Sequence, residues 1–429
     1  MPPKVNARIA NAPQLLIKVI AAETGALIAG GAPIINLSQG SPNAPPFPSA
    51  LDAVRGVLDS AKLPYTAVAG TDDVRATCAA FLNRVVLDLD ASSADCEGVY
   101  EASHVCVTNG AVQAVWNVLS LSVDGPDDVV VTPLPAYGLY LSDTALLGGT
   151  FAPLECGSEE DGFAFRAADV RRVFDTHGPR MRVLVLCAPN NPTGRCWTAD
   201  EARDLAAELD AQLAAHPDYR FSVLLDEVYT GISSVEHVSL LRYASPALRR
   251  CCFFACSASK GLGGAPGARA GFVACADAEL MTHLVKVQMA ATANVSVLAQ
   301  QLLRGSLEHV MAHGVADVNA FYEQRTRLVC ERLAAYVRFP PQGTFYVVAS
   351  AAGLGYATDV DVIRDLRDAY TRGEPHGVAL VPLSAFAVPA ELCLVRICCA
   401  ADLDVLDRAC QVVCSVWGKR SGGGLKAQH

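Results

Sequence analysis

From about residue 100 onward, short apolar runs alternate with stretches of helical period, and this alternation constrains the fold more than any other property of the chain. Residues 105–108, 129–132, 182–187, 221–226, 252–256 and 272–275 read as strands, most of them apolar throughout. Uniform apolarity marks strands buried on both faces, as in a parallel sheet covered by helices. Between two of them, Thr198, Ala199, Asp200 and Glu201 form a capping box, and the helix it opens carries Ala202, Leu205, Ala206, Leu209 and Leu213 on one face. Strand, helix and strand make a βαβ unit. Open α/β sheets present their chemistry beyond the carboxyl ends of their strands, and Asn191, Asp226 and Lys260 each fall at or just past such an end.

After about residue 325 the pattern changes. Residues 343–348 and 394–398 read as strands, and residues 360–370 and 402–417 as helices, which together suit a smaller α+β domain. A chain of 429 residues exceeds what one hydrophobic core supports. The expected organisation is an N-terminal arm that completes part of the small domain (1–45), a large domain (46–324), the small domain (325–420) and a flexible, glycine-rich tail (421–429).

A net charge of -10 with no basic stripe argues against a nucleic-acid partner. No run reaches the roughly 18 apolar residues that a membrane helix needs, so the expectation is a soluble, cytoplasmic protein without a membrane partner. Lys4, Arg8 and Lys18 precede the first acid, Glu23, which leaves organelle import open. The 16 cysteines include the pairs Cys251-Cys252 and Cys398-Cys399 inside apolar runs and form no C-x-x-C, so they read as reduced, buried thiols and imply no metal.

The residues that carry chemistry cluster around Ser257-Ala258-Ser259-Lys260, with Arg269 nine residues on and Asp226-Glu227-Val228-Tyr229 before. An amine, a carboxylate, a phenol and a guanidinium together fit a phosphorylated pyridine aldehyde. Such a cofactor needs a lysine for a Schiff base, a carboxylate to keep its ring nitrogen protonated, and an arginine with hydroxyl or backbone donors for its phosphate. Pyridoxal 5′-phosphate meets all three requirements. A carboxylate about 3 Å from a pyridinium at an effective dielectric of 20 interacts by about 5 kcal/mol before desolvation. The run Gly261 to Gly267 is no dinucleotide loop, because Pro266 interrupts it and a strand, not a helix, follows.

These residues resemble the fold-type-I, class I/II pyridoxal-phosphate aminotransferases, the superfamily of aspartate and alanine aminotransferases. The resemblance spans nearly the whole chain: residues 35–40, Tyr65 with Gly70, Thr108-Asn109-Gly110-Ala111, Asn191-Pro192-Thr193-Gly194, the Asp226 and Lys260 segments, and Val395-Arg396-Ile397. It implies an α/β fold whose large domain holds a mostly parallel seven-stranded sheet flanked by helices. It implies catalytic roles for Lys260, Asp226 and Tyr229. Lys260 would form the Schiff base and move the α-proton, Asp226 would pair with the ring nitrogen, and Asn191 and Tyr229 would bond its phenolic oxygen. Tyr137 would stack on the ring. Ser257, Arg269 and the backbone around Gly110, Ala111 and Val112 would hold the phosphate, with Tyr65 reaching it from the other subunit of a homodimer. Arg396, helped by Asn191 and Gly40, would grip the substrate α-carboxylate.

The chain departs from the family pattern at Ala188, where an asparagine is frequent, at Ala268, where an aromatic is usual, and at Val112, which offers the phosphate no side-chain donor. Residues 288–297 hold no arginine where aspartate-specific members place one for the second carboxylate. The resulting expectation is an L-amino acid:2-oxo-acid transaminase acting on neutral, aromatic or sulfur-containing donors. A C–S lyase of the same fold, and a non-catalytic cofactor- or ligand-binding protein, are the alternatives.

Overall fold

The computed structural model describes residues 4–89 and 99–421. The glycine-rich tail, apart from Ser421, lies outside the described residues. In chain order the strands are β1 (Ile34–Asn36), β2 (Val105–Thr108), β3 (Val129–Pro133), β4 (Thr150–Leu154), β5 (Met181–Cys187), β6 (Ser222–Asp226), β7 (Cys252–Ser257), β8 (Gly271–Ala274), β9 (Tyr346–Ser350), β10 (Gly377–Ala379), β11 (Val381–Pro382) and β12 (Leu394–Cys398).

Seven of these strands form one sheet in the order β2-β8-β7-β6-β5-β3-β4. All neighbours run parallel except β8, which is antiparallel to both β2 and β7. The period of two explains the uniform apolarity of the central strands. Leu184, Leu186, Val223, Leu225 and Phe254 pack into the core on one face, where Ala202, Leu205, Ala206 and Leu209 of the helix Ala199–Ala215 cover them. Val183, Val185, Leu224 and Phe253 face the other way, toward Ala114, Val115, Val118 and Leu119 of the helix Ala111–Ser122. Both faces are buried, so the central positions are filled almost wholly by apolar side chains. The capping box at Thr198 is formed, with the Thr198 hydroxyl accepting from the Glu201 amide.

A second, antiparallel sheet runs β11-β12-β9, and β1 pairs in parallel with β10. Its core gathers Val347, Val395, Ile397 and Val362 around Trp417 of the helix Leu403–Arg420. Ile20, from the helix Leu16–Ala29 near the amino end, packs into the same core.

Some local expectations shift. The strand expected at 343–348 begins only at Tyr346 and continues to Ser350, because Thr344 takes φ 65° and breaks the extended backbone. The helix expected at 360–370 stops at Arg367 and passes through a tight turn to Gly373, whose φ of 95° ends it. Every described cysteine is a free thiol, and all but Cys187, Cys251, Cys330 and Cys414 are buried. Among the described residues no helix is long and apolar enough to cross a membrane, and no cluster of side chains suits a metal ion.

Candidate active site

The carboxyl ends of β5, β6 and β7 open onto a cavity of about 380 Å³ that the helix Leu16–Ala29 and strands β9 and β12 help to enclose. Gly40, Ala111, Val112, Tyr137, Asn191, Asp226, Tyr229, Ser257, Lys260, Arg269 and Arg396 all line it. Residues more than 350 positions apart in sequence thus share one space. Gly110 and Tyr65 are not in its wall: Gly110 lies against Arg269, which is, and Tyr65 is 95 % exposed.

Lys260 follows β7 in a tight turn, and its ammonium donates to the Gly40 carbonyl. Burial, reinforced by the charges of Arg396 and Arg269, lowers its pKa to about 8, against a partial pull upward from Cys398 and Asp226. An amine so placed sheds its proton at a lower pH than an ordinary lysine. Asp226 ends β6 fully inside the protein, and one carboxylate oxygen, Oδ2, accepts the Tyr140 hydroxyl at 2.6 Å. Oδ1 is buried and has no partner. Burial therefore pushes the Asp226 carboxyl up, with the Tyr140 bond pulling it back. A cationic N–H donor at Oδ1 would restore the carboxylate, since a buried acceptor left unpaired costs about 1–3 kcal/mol.

Arg396 lies on β12 and is 2 % exposed. Its Nη1 donates to Asn191 Oδ1 at 2.9 Å and its Nη2 to the Ser38 carbonyl at 2.8 Å, while Nε is buried without a partner. The guanidinium stands 4.2 Å above the Tyr346 ring. All these partners are neutral. A buried cation compensated only by dipoles is a receptor for an anion.

A second anion cradle forms where β2 leads through Gly110 into the helix Ala111–Ser122. Gly110 has φ 76°, and a Cβ there would come within 2.5 Å of Arg269 Nη2, so only glycine lets the guanidinium lie against the turn. Arg269 is itself held by the Asn109 and Pro266 carbonyls, at 2.9 and 3.0 Å. Ser257 is fully buried beside it, and its oxygen accepts the Ser259 amide at 3.2 Å. Backbone amides at a helix start, a hydroxyl and a guanidinium suit a phosphate dianion.

Two wall residues escaped the sequence reading. Tyr140 lies three residues beyond Tyr137, and the two rings meet edge to face with centroids 6.1 Å apart. Tyr346, on β9, places its hydroxyl 2.9 Å from that of Tyr229. The spacing of two tyrosines by three was a signal for the first. Tyr346 looked like one more core aromatic in an apolar run.

The aminotransferase class I and II family model matches residues 32–413. The chain belongs to this family. An aspartate aminotransferase of Geobacillus stearothermophilus is 24 % identical over 412 residues, covering 95 % of this chain and 97 % of that protein. A methionine aminotransferase of Escherichia coli is 28 % identical over 307 residues, 70 % of this chain and 72 % of its own. Among solved structures, the Thermus thermophilus aspartate aminotransferase with maleate superposes with a TM-score of 0.82 at 24 % identity, over 97 % of this chain and all of that one. The aminotransferase of Rhizobium meliloti named for aspartate gives 0.83 at 24 %, over 97 % and 99 %.

As a class I/II aminotransferase, the enzyme is a pyridoxal-phosphate-dependent transaminase. The donor set fits that cofactor: a depressed-pKa amine, an orphaned buried carboxylate oxygen and a glycine-backed phosphate cradle stand around one cavity.

Proposed function

We propose that this aminotransferase takes its amino group from a neutral, aromatic or sulfur-containing L-amino acid and passes it to a 2-oxo acid. The observation that carries the amino-acid reading is Arg396: a buried guanidinium with only neutral partners, lining the same cavity as a buried amine of pKa about 8. The donor class is supported by Ile17, Ala21, Val112 and Leu139 in the cavity wall, which Lys18 shares, by the missing arginine in 288–297, and by likeness to a methionine aminotransferase.

Bound pyridoxal phosphate supplies an aldehyde carbon for amines and a ring that withdraws electrons from the substrate α-carbon. Lys260 would supply the anchoring amine, and its Nζ would take up and release the substrate α-proton. Asp226 Oδ1 would keep the ring nitrogen protonated. Asn191 and Tyr229 would hydrogen-bond the phenolic oxygen, and Tyr137 would stack on the ring. Arg269, Ser257 and the amides of Ala111 and Val112 would hold the phosphate. Arg396, with Asn191 and the Gly40 backbone, fixes the substrate carboxylate and so aims the α-proton at Lys260. The working unit is a homodimer in which the exposed Tyr65 completes the partner's phosphate site.

A panel of amino donors, each mixed singly with the holoenzyme and followed by the cofactor's absorbance change, tests the substrate assignment. Methionine and phenylalanine should convert the cofactor faster than aspartate. Preference for aspartate by about tenfold or more would overturn the donor class.

A further inference from the structure

Tyr229 and Tyr346 are both buried, and their hydroxyls meet at 2.9 Å with the rings inclined at 72° and centroids 5.7 Å apart. Among the described residues neither hydroxyl has another hydrogen-bond partner. Two hydroxyls sharing one hydrogen bond place one proton between them and leave the other to point elsewhere. The surroundings decide which is which. Tyr346 presses its oxygen against the Cα of Gly40, where even a Cβ would stand 2.0 Å from it, so a free proton there would face carbon. Both tyrosines line the cavity, but with the Tyr346 oxygen lodged against Gly40 it is the Tyr229 proton that is free to meet a ligand acceptor. The Arg396 guanidinium, 4.2 Å above the Tyr346 ring, also makes that phenol the stronger donor of the two. Burial pushes both phenols far up, so both keep their protons across the working range.

We propose that Tyr346 is a positioning residue: its hydroxyl donates to the Tyr229 oxygen and thereby turns the Tyr229 proton into the cavity, onto the phenolic oxygen of the bound cofactor. This rests on the placement of Tyr229 in the preceding reading. Donation into the Tyr229 oxygen polarises that hydroxyl and strengthens the bond it makes onward. The geometry also connects the two halves of the site, because the ring that orients the Tyr229 proton lies directly beneath the guanidinium that receives the substrate carboxylate.

The test is a spectroscopic titration of the holoenzyme and of three variants, Tyr346→Phe, Tyr229→Phe and the double variant. Tyr346→Phe removes one oxygen and keeps the ring under Arg396. It should raise the pH midpoint of the cofactor's visible absorbance by about half a unit, as expected from losing cooperative polarisation. Tyr229→Phe should raise it by about one unit or more, since a charge-assisted bond is lost. The double variant should match Tyr229→Phe alone. An unmoved midpoint in Tyr346→Phe, or a Tyr346→Phe shift that persists without the Tyr229 hydroxyl, overturns the relay while leaving Tyr229 at the ring. An unmoved midpoint in Tyr229→Phe overturns both the relay and the placement of Tyr229.

Discussion

Tyr140 and Asp226, 86 residues apart in sequence, are joined by a 2.6 Å hydrogen bond from the phenol to Oδ2. The bond occupies one carboxylate oxygen and leaves the other, Oδ1, buried without a partner. Asp226 is thereby fixed in rotation, and in the proposed reading its free oxygen is the one that would meet the ring nitrogen.

Tyr140→Phe should therefore weaken catalysis without emptying the site. With Oδ2 unpaired, burial pushes the Asp226 carboxyl further up and favours its neutral form. A neutral acid holds a proton on the ring nitrogen less well. We expect kcat to fall by about tenfold and the protein to lose about 1–3 kcal/mol of stability for the stranded acceptor. Steady-state kinetics with saturating cofactor and denaturant unfolding would check both; an unchanged kcat would remove Tyr140 from the mechanism.

Lys260 gives a pH prediction. Its pKa of about 8, against 10.5 for an ordinary lysine, means that the amine is neutral and nucleophilic above about pH 8 and charged below. Capture of added pyridoxal phosphate by the apoprotein should accelerate as pH rises from 6 through about 8 and level off beyond, where an unperturbed lysine would still be gaining. Stopped-flow absorbance reads the midpoint. Lys260→Ala should bind cofactor without a borohydride-trapped adduct and show no turnover.

How far the sequence carries depends on where each signal resides. The central strands β5, β6 and β7 were legible because both faces are buried, which favours apolar residues at all but a few positions near their ends. β4 was not, since it is an edge strand with exposed positions and Pro153 within it. β1, β10 and β11 run three residues or fewer, too short for a periodicity, and exist through pairing with distant segments. The site divides in the same way. Lys260, Asp226 and Asn191 follow strand ends and announce themselves by position. Tyr346 acquires its role through register: β9 and β12 set Val348 opposite Arg396 and Tyr346 opposite Cys398, which no local pattern encodes.

Arg396→Ala should raise KM for every α-amino acid by about a hundredfold or more, because a buried, charge-assisted contact to the α-carboxylate is lost. Arg396→Lys should recover little. An ammonium cannot reach Asn191 Oδ1 and the Ser38 carbonyl together while offering a planar fork to the ligand. Equal kinetics for amines that lack a carboxylate, in wild type and variant, would show that the loss is specific. An unaltered KM and kcat for amino acids would take Arg396 out of the site.

Gly110→Ala tests the phosphate cradle by steric means alone. The new methyl would sit 2.5 Å from Arg269 Nη2 at a φ of 76° that alanine resists, so either the guanidinium withdraws or the turn opens. Both outcomes loosen the grip on the cofactor while leaving Lys260, Asp226 and Arg396 in place. The cofactor's Kd should rise by about tenfold or more, with kcat at saturating cofactor close to that of the wild type. Equilibrium dialysis and kinetics at increasing cofactor concentration separate the two quantities. A fall in kcat with no change in Kd would mean that the Gly110 turn serves the reacting atoms and not the phosphate.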